Sequence, residues 1–167
     1  KLLSLNSGLF ITLILCFVVL INIYNKVRTL SNLWNNNMKN RKIVITGASK
    51  GIGKAIAKKF ALNGCEMYLI SSNEKTLQYT SKEIKKGNNS KIHYYATNLK
   101  TEQGCNNVLS DIQNNFKDLD TIIFSAGDTK SGDFLSQPID DFFDGFDLKF
   151  YSVVRLLKGC LLYTSDA

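Results

Sequence analysis

Thr46 to Gly53 read TGASKGIG and follow the apolar run Ile43-Val44-Ile45, and this stretch decides the fold of the chain. It describes a strand that turns sharply into a helix on three glycines. Gly47 lets the chain leave the strand at dihedral angles that a side chain disfavours, Gly51 lets the backbone approach a pyrophosphate, and Gly53 lets the helix pack closely. The helix offers its unpaired N–H groups to an anion. The stretch therefore predicts a phosphate-binding turn.

Short apolar segments alternate with helical patterns along the rest of the chain. After the first helix, predicted from Ile52 to about Asn63, strands are predicted at Glu66 to Ser71, Lys91 to Thr97 and Leu119 to Phe124, and helices at Glu74 to Lys85, Thr101 to Phe116 and Pro138 to Lys158. This βαβα series indicates an α/β fold with a doubly wound parallel sheet. Right-handed crossovers bring the ends of the first, second and fourth strands to one crevice.

The spacing TGxxxGxG resembles the short-chain dehydrogenase/reductase family, and three later landmarks agree with it. SNEKTL after the second strand is similar to the family's next helix start, and Asn98-Leu99 stands where the family has an Asp and an apolar residue. Ser125-Ala126-Gly127 resembles the family's NNAG after the fourth strand. The resemblance covers residues 41–159 and implies the cofactor-binding half of a Rossmann-like oxidoreductase that acts on a small carbonyl or alcohol substrate.

The resemblance also implies which residues contact a dinucleotide. The expected cofactor-binding residues are Gly47, Ser49, Lys50, Gly51, Ile52 and Gly53 at the phosphates, Ser71 and Ser72 at the adenosine ribose, Asn98 and Leu99 at the adenine, and Ser125, Ala126 and Gly127 at the ribose next to the nicotinamide.

The residue at the end of the second strand distinguishes NADP from NAD. An acidic side chain there would bind a free 2′-hydroxyl and repel a 2′-phosphate, but Ser71 holds the place. Lys50 resembles the basic residue that NADP-dependent relatives place against that phosphate, and Ser72 adds a hydroxyl donor. We therefore predict NADP as the cofactor. The alternative is NAD, and Lys50 would then be an ordinary exposed lysine.

The chain departs from the family pattern at three places. Phe124 and Ser125 replace the two Asn of NNAG, so either the sheet is repaired locally or the site is remodelled. Asn98 replaces an Asp while keeping an acceptor. Lys149 aligns with an Asn that supports a proton relay in the family. Lys149 is therefore a candidate relay or charge partner, and the alternative is a solvent-facing lysine or one paired with Asp144 or Asp147.

No catalytic residue is predicted within the chain, because no Tyr-x-x-x-Lys occurs in it. Two segments have the same spacing with Arg in place of Lys, Tyr24 to Arg28 and Tyr151 to Arg155. An arginine side chain keeps its proton. Lys158-Gly159 is expected to end the last helix. Residues 160–167 resemble a translated sequencing adapter and are expected to be non-native, so the family's Ser, Tyr and Lys would lie beyond this sequence.

The amino-terminal part carries an uncharged apolar run, Leu9 to Tyr24, with more Lys and Arg after it than before it. The apolar run and the charges around it predict a transmembrane anchor over residues 9–25, with the domain that follows in the cytosol. Residues 1–8 form a flank before the anchor, and residues 26–40 form a linker to the domain. Because Lys1 is not a start methionine, the alternative is a soluble cytoplasmic protein that begins at Met38.

Composition excludes several classes of function. The net charge of +7 comes from scattered lysines, so no nucleic-acid partner is expected. The four cysteines form no metal-binding spacing and indicate a reducing compartment, and His93 is expected to pack in a strand.

The family resemblance also implies that the full-length protein is a homo-oligomer. A dinucleotide-binding redox sensor without turnover is the alternative function, and a structural relative that binds nothing is the third.

Overall fold

The computed structural model describes residues 19–29, 38–88, 90–116, 118–128 and 130–164, and the chain divides into two units, Lys1–Met38 and Lys39–Ala167. In the first unit residues 19–29 are helical (α1) and exposed. Residues 1–18 and 30–37, which include most of the predicted anchor and of the linker, lie outside the described residues. Within the described ranges, no helix is both long enough and apolar enough to span a bilayer.

The second unit is built on a four-stranded parallel sheet. Its strands are β1 (Lys42–Thr46), β2 (Glu66–Ser71), β3 (Ile92–Ala96) and β4 (Thr121–Phe124), in the order β3-β2-β1-β4. Ile43 lies opposite Met67 of β2 and Thr121 of β4. Because β1 lies at the centre, with helices over both faces, its Ile43, Val44 and Ile45 are fully buried. The predicted α/β fold is confirmed.

Helices follow each strand. They are α2 (Gly51–Leu62), α3 (Glu74–Lys85), α4 (Glu102–Asn115), α5 (Ile139–Phe146), a π-helical turn (Asp147–Tyr151) and α6 (Ser152–Thr164). Side chains fix two of their starts, because Asn73 accepts from the Thr76 N–H at 3.0 Å and Thr101 accepts from the Gly104 N–H at 3.1 Å. The observed bounds of α3 are those predicted from the sequence, Glu74 to Lys85.

The last helical segment corrects the sequence analysis. Gly159 does not end it, because α6 continues through this residue to Thr164. A Cβ at position 159 would overlap the side chain of Leu109 on α4. Gly159 therefore allows two helices to approach closely, and this packing outweighs its cost of about 1 kcal/mol in helix propensity. Whether residues 160–167 are native stays a prediction.

Candidate functional site

The three glycines of the turn each have a different physical role. Gly47 has φ of +67°, and a Cβ there would lie 2.7 Å from the backbone of Ala126. Gly51 has φ of +55° with no atom within 4 Å of its Cβ position, so the chain is open on that side. A Cβ at Gly53 would overlap the carbonyl of Gly47. Gly53 therefore fixes how the helix packs, and it does not line the cavity described next.

The amino-terminal end of α2 is suited to an anion. Lys50 is the N-cap residue and makes no side-chain capping bond, and the first turn carries no acidic residue. The first N–H groups of a helix have no acceptor within the helix. Together with the helix dipole, they form a site of positive potential at Gly51.

This helix end opens into a cavity of about 750 Å³ at the carboxyl edge of the sheet. Every predicted cofactor-binding residue except Gly53 lines it. The lining comprises Gly47, Ser49, Lys50, Gly51, Ile52, Ser71, Ser72, Asn73, Thr76, Thr97, Asn98, Leu99, Lys100, Ser125, Ala126, Gly127, Asp128 and Leu148. Residues distant in sequence thus meet where parallel sheets bind ligands.

Hydroxyl groups line the end of this cavity that the sequence analysis predicts for the adenosine ribose, where an acid would stand in an NAD site. Ser71 is almost completely buried and donates to the Ser49 hydroxyl at 2.8 Å. Thr80 donates to the Ser49 carbonyl at 2.9 Å, which fixes the turn against α3. Among the described lining residues the single carboxylate is Asp128, which follows Gly127 at the other end.

Phe124 and Ser125 stand where the family pattern has two Asn. Thr46, at the end of β1, accepts from the N–H groups of Ser125 and Ala126, both at 3.1 Å. Phe124 instead packs against the core between the sheet and α4. A buried threonine hydroxyl thus ties the segment after β4 to the centre of the sheet. Local repair of the sheet, one of the two outcomes expected from the sequence, stays a prediction.

A second cavity, of about 450 Å³, adjoins the first across Ile52 and the 125–127 segment. Its lining includes Ile123, Val153 and Lys149, whose Cε lies 3.2 Å from the Cβ position of Gly127. Ile52, one of the predicted cofactor-binding residues, is 75% exposed and lies between the two cavities.

Lys149 lies on the π-helical turn and reaches towards Gly127. Asp144, one of the two partners considered from the sequence, pairs with Lys100 of the loop after β3. A π-helical turn shifts the residues that follow it around the helix and is often found at functional sites. The predicted role of Lys149 as a relay or charge partner stays a prediction.

Sequence analysis missed six lining residues: Asn73, Thr76, Thr97, Lys100, Asp128 and Leu148. Five of them are within five residues of predicted site residues, so their proximity along the chain was an available signal. The sixth, Leu148, is next to Lys149, the candidate relay, and reaches the cavity from the π-helical turn.

The pair Tyr151 and Arg155 has a structural explanation. The Arg155 guanidinium lies 5.8 Å from the ring centre of Tyr151 and donates to the Lys100 carbonyl at 3.2 Å. It thus ties α6 to the loop after β3. In the part of the chain that the structure describes, no group of three or more His, Cys, Asp and Glu residues could hold a metal ion.

Known proteins share both the sequence and the fold of this unit. The short chain dehydrogenase family matches residues 41–166. The oxidoreductase YvaG of Bacillus subtilis is 28% identical over 126 residues, which are 75% of this chain and 46% of that protein. A dehydrogenase/reductase SDR family protein 7-like of Dictyostelium discoideum is 27% identical over 126 residues, or 72% of this chain and 40% of that protein. The chain thus spans less than half of these relatives.

The structure of L-sorbose reductase from Gluconobacter frateurii, in complex with NADPH and L-sorbose, superposes with a TM-score of 0.69 at 25% identity. The similarity covers 72% of this chain and 46% of the reductase. The structure of a short chain dehydrogenase from Pseudomonas syringae superposes with a TM-score of 0.71 at 25% identity. The similarity covers 78% of this chain and 54% of that one. The fold, the glycine turn and the match over residues 41–166 lead to one conclusion: this chain belongs to the short-chain dehydrogenase/reductase family.

Proposed function

We propose that the chain is the cofactor-binding half of an NADP-dependent oxidoreductase that reduces a ketone or an aldehyde. The observation that carries this proposal is the 750 Å³ cavity at the carboxyl edge of the sheet, in which the glycine turn, the end of β2 and the 125–127 segment meet. The proposal is supported by the NADPH found in the related L-sorbose reductase.

The residues present fit a dinucleotide along the whole cavity. The amino-terminal turn of α2 would hold the pyrophosphate through backbone N–H groups, and the open side of Gly51 leaves room for it. Asn98 and Leu99 would contact the adenine, and Ser125 to Gly127 the ribose next to the nicotinamide. When bound, the nicotinamide supplies a hydride to the carbonyl carbon.

The preference for NADP follows from charge at the adenosine end. Ser71 and Ser72 offer hydroxyl groups, and the exposed Lys50 lines the same cavity. A 2′-phosphate is attracted by the lysine and meets no carboxylate at the end of β2, whereas NAD gains nothing from either feature.

The sequence contains no Tyr-x-x-x-Lys, the pattern that carries the family's proton donor. We propose that it lies in the remainder of the full-length protein, since the chain spans only 46% of the Bacillus relative. Lys149, beside Gly127, is the one cation on the wall of the second cavity among its described lining residues, and it would act there by proton relay or by charge.

Fluorescence titration of the chain with NADPH and with NADH tests the binding proposal. We expect NADPH to bind at least about tenfold more tightly than NADH, because a phosphate contact with a cation is worth more than 1.4 kcal/mol. Gly51→Ala should abolish binding, since its Cβ would occupy the space left for the pyrophosphate.

Gly64→Ala is the matched control for this experiment. Gly64 also has positive φ, +74°, and a Cβ there would make an ordinary contact 3.5 Å from Lys39, away from the cavity. Both variants carry the same kind of backbone strain, so only the first should lose NADPH. Equal affinity of the two variants for NADPH, or no binding by the folded parent chain, would refute the proposal.

A further inference from the structure

The amino-terminal edge of the sheet, opposite the cofactor cavity, carries a group of exposed lysines. The helices α2 and α3 connect parallel strands, so both end at this edge. The Ser90 hydroxyl, before β3, donates to the Ala61 carbonyl of α2 at 2.8 Å, and the Asn40 N–H, before β1, donates to the Gly64 carbonyl at 3.0 Å. Six exposed lysines lie at these ends, and we call them the basic edge: Lys39, Lys59, Lys82, Lys85, Lys86 and Lys91.

The positive charge of the basic edge is not neutralised within the described part of the chain. No carboxylate of the described residues forms an ion pair with any of the six lysines. The acids nearby have other partners, since Glu83 pairs with Lys54 and Lys58 and Asp120 pairs with Arg41. The basic edge therefore presents its charge to whatever lies outside the protein.

Helix stability accounts for only part of this pattern. A lysine in the last turn of a helix interacts favourably with the helix dipole, and this explains Lys59, Lys82 and Lys85. It does not explain Lys39 or Lys91, because these residues precede the strands β1 and β3. Lysines that belong to different elements thus converge on one surface.

The segment after β4 has the opposite charge. Residues 128–147 begin at the carboxyl edge of the sheet and contain six aspartates and one lysine. Asp144 pairs with Lys100, which lines the cofactor cavity, so this acidic segment lies beside the cavity. An anionic surface would attract the basic edge and repel the acidic segment. It would therefore orient the domain with the cavity facing away from that surface.

We propose that the basic edge docks on the surface of a bilayer that contains phosphatidylserine. Clusters of about four to eight Lys and Arg residues close to an apolar segment are typical of such docking. Lys39 directly follows the unit that ends at Met38, and the sequence of that unit contains the apolar run Leu9 to Tyr24 followed by Lys26 and Arg28. The cofactor cavity lies at the other edge of the sheet, so the proposal does not depend on NADP binding.

An exposed aliphatic side chain favours lipid over nucleic acid as the partner. Leu62, on the last turn of α2 near Lys59, is 70% exposed. A leucine beside lysines can enter the boundary between headgroups and acyl chains. Unpaired bases, in contrast, stack on aromatic side chains.

Co-sedimentation of the whole chain with vesicles tests the docking. The vesicles contain phosphatidylcholine alone or with about 30% phosphatidylserine, which gives the surface the negative potential of a cytoplasmic leaflet. We expect the double variant Lys59→Gln, Lys86→Gln to bind the anionic vesicles at least about tenfold more weakly than the parent chain, because each lysine near the surface contributes about fivefold.

The double variant Lys75→Gln, Lys158→Gln is the matched control. It loses the same charge from exposed lysines outside the basic edge, on the first turn of α3 and on α6. Its affinity for the anionic vesicles should stay within about twofold of the parent chain, because these lysines face away from the docked surface. An equal loss in both double variants would overturn the proposal, since binding would then follow net charge alone.

Hydrogen–deuterium exchange on the same vesicles tests the orientation, also when the apolar run of the first unit inserts into the bilayer. Amides of residues 82–88 should exchange about twofold or more slowly on the anionic than on the neutral vesicles, while residues 134–138 should exchange equally on both. The same rate for residues 82–88 on both vesicles would contradict docking by the basic edge. Equal slowing by duplex DNA at the same phosphate concentration would assign this surface to nucleic acid and also overturn the proposal.

Discussion

The hydroxyl of Ser71 donates to the hydroxyl of Ser49 at 2.8 Å and so joins the end of β2 to the phosphate-binding turn. Ser71 is almost completely buried and lies in the lining of the cavity. One small side chain therefore both positions the turn and sets the charge that the adenosine ribose would meet.

Ser71→Asp should reverse the proposed cofactor preference. A carboxylate at the end of β2 repels a 2′-phosphate and accepts from a free 2′-hydroxyl, so NADPH affinity should fall by about tenfold or more while NADH affinity rises. Parallel titrations with the two cofactors measure this. Ser71→Ala removes the bond to Ser49 without adding charge and should leave the preference for NADPH in place. If Ser71→Asp still preferred NADPH, the predicted role of this position would be wrong.

Thr46→Val should lower the free energy of unfolding by about 2 kcal/mol. The substitution keeps the shape of the side chain but leaves the N–H groups of Ser125 and Ala126 without their acceptor. Urea denaturation measures the loss, and Thr46→Ser, which retains the hydroxyl, is the control and should be closer to the parent chain. Equal stability of the two variants would show that the hydroxyl does not tie β1 to the segment after β4.

Asp120 should contribute an acid-dependent part of the stability. The pKa of its carboxyl is lowered from its usual 3.8, first by the Lys42 N–H, which donates at 2.7 Å, and then by Arg41, whose guanidinium lies at 2.6 Å. A carboxyl with a lowered folded-state pKa stabilises the protein above its unfolded pKa, and this stabilisation is lost as the pH falls through the folded value.

Denaturant midpoints measured from pH 7 down to pH 3 check this behaviour. Asp120→Asn should lower the free energy of unfolding by about 1 kcal/mol at pH 7 and flatten the decline in stability below about pH 4. Asp118→Asn is the matched control, because that exposed carboxylate lies 3.9 Å from the Lys42 Nζ and should contribute little. The same acid slope in both variants would assign the dependence to other carboxyls.

The contact between Gly159 and Leu109 can be tested by a double-mutant cycle. Gly159→Ala should lower the free energy of unfolding by about 1–3 kcal/mol, because its Cβ overlaps the Leu109 side chain. Leu109→Ala alone should also destabilise the protein by leaving a cavity. In the double variant the new methyl group occupies part of that cavity, so the combined loss should be smaller than the sum of the two. Strict additivity would mean that α4 and α6 do not meet at these residues.

Much of the fold followed from local patterns. The helix Glu74–Lys85 and the strand Glu66–Ser71 have the predicted bounds. Capping side chains, glycine stops and short apolar runs act within a few residues, so a single sequence displays them. The glycine turn was predictable for the same reason, since positive φ at Gly47 and Gly51 is a local requirement of the backbone.

Errors arose where a long-range contact overrode a local preference. Gly159 has the local signature of a helix end, yet it lies inside α6 because Leu109 of another helix needs the space.

The sequence by itself determined the βα order, the glycine turn and the absence of Tyr-x-x-x-Lys from this chain, because each is a property of adjacent residues. Only the tertiary structure decided that the Thr46 hydroxyl accepts from the N–H groups of Ser125 and Ala126, and that Leu148 and Lys149 reach the cavities from a π-helical turn. These features depend on distances between segments far apart in sequence, which packing of the sheet and helices sets and no local pattern encodes.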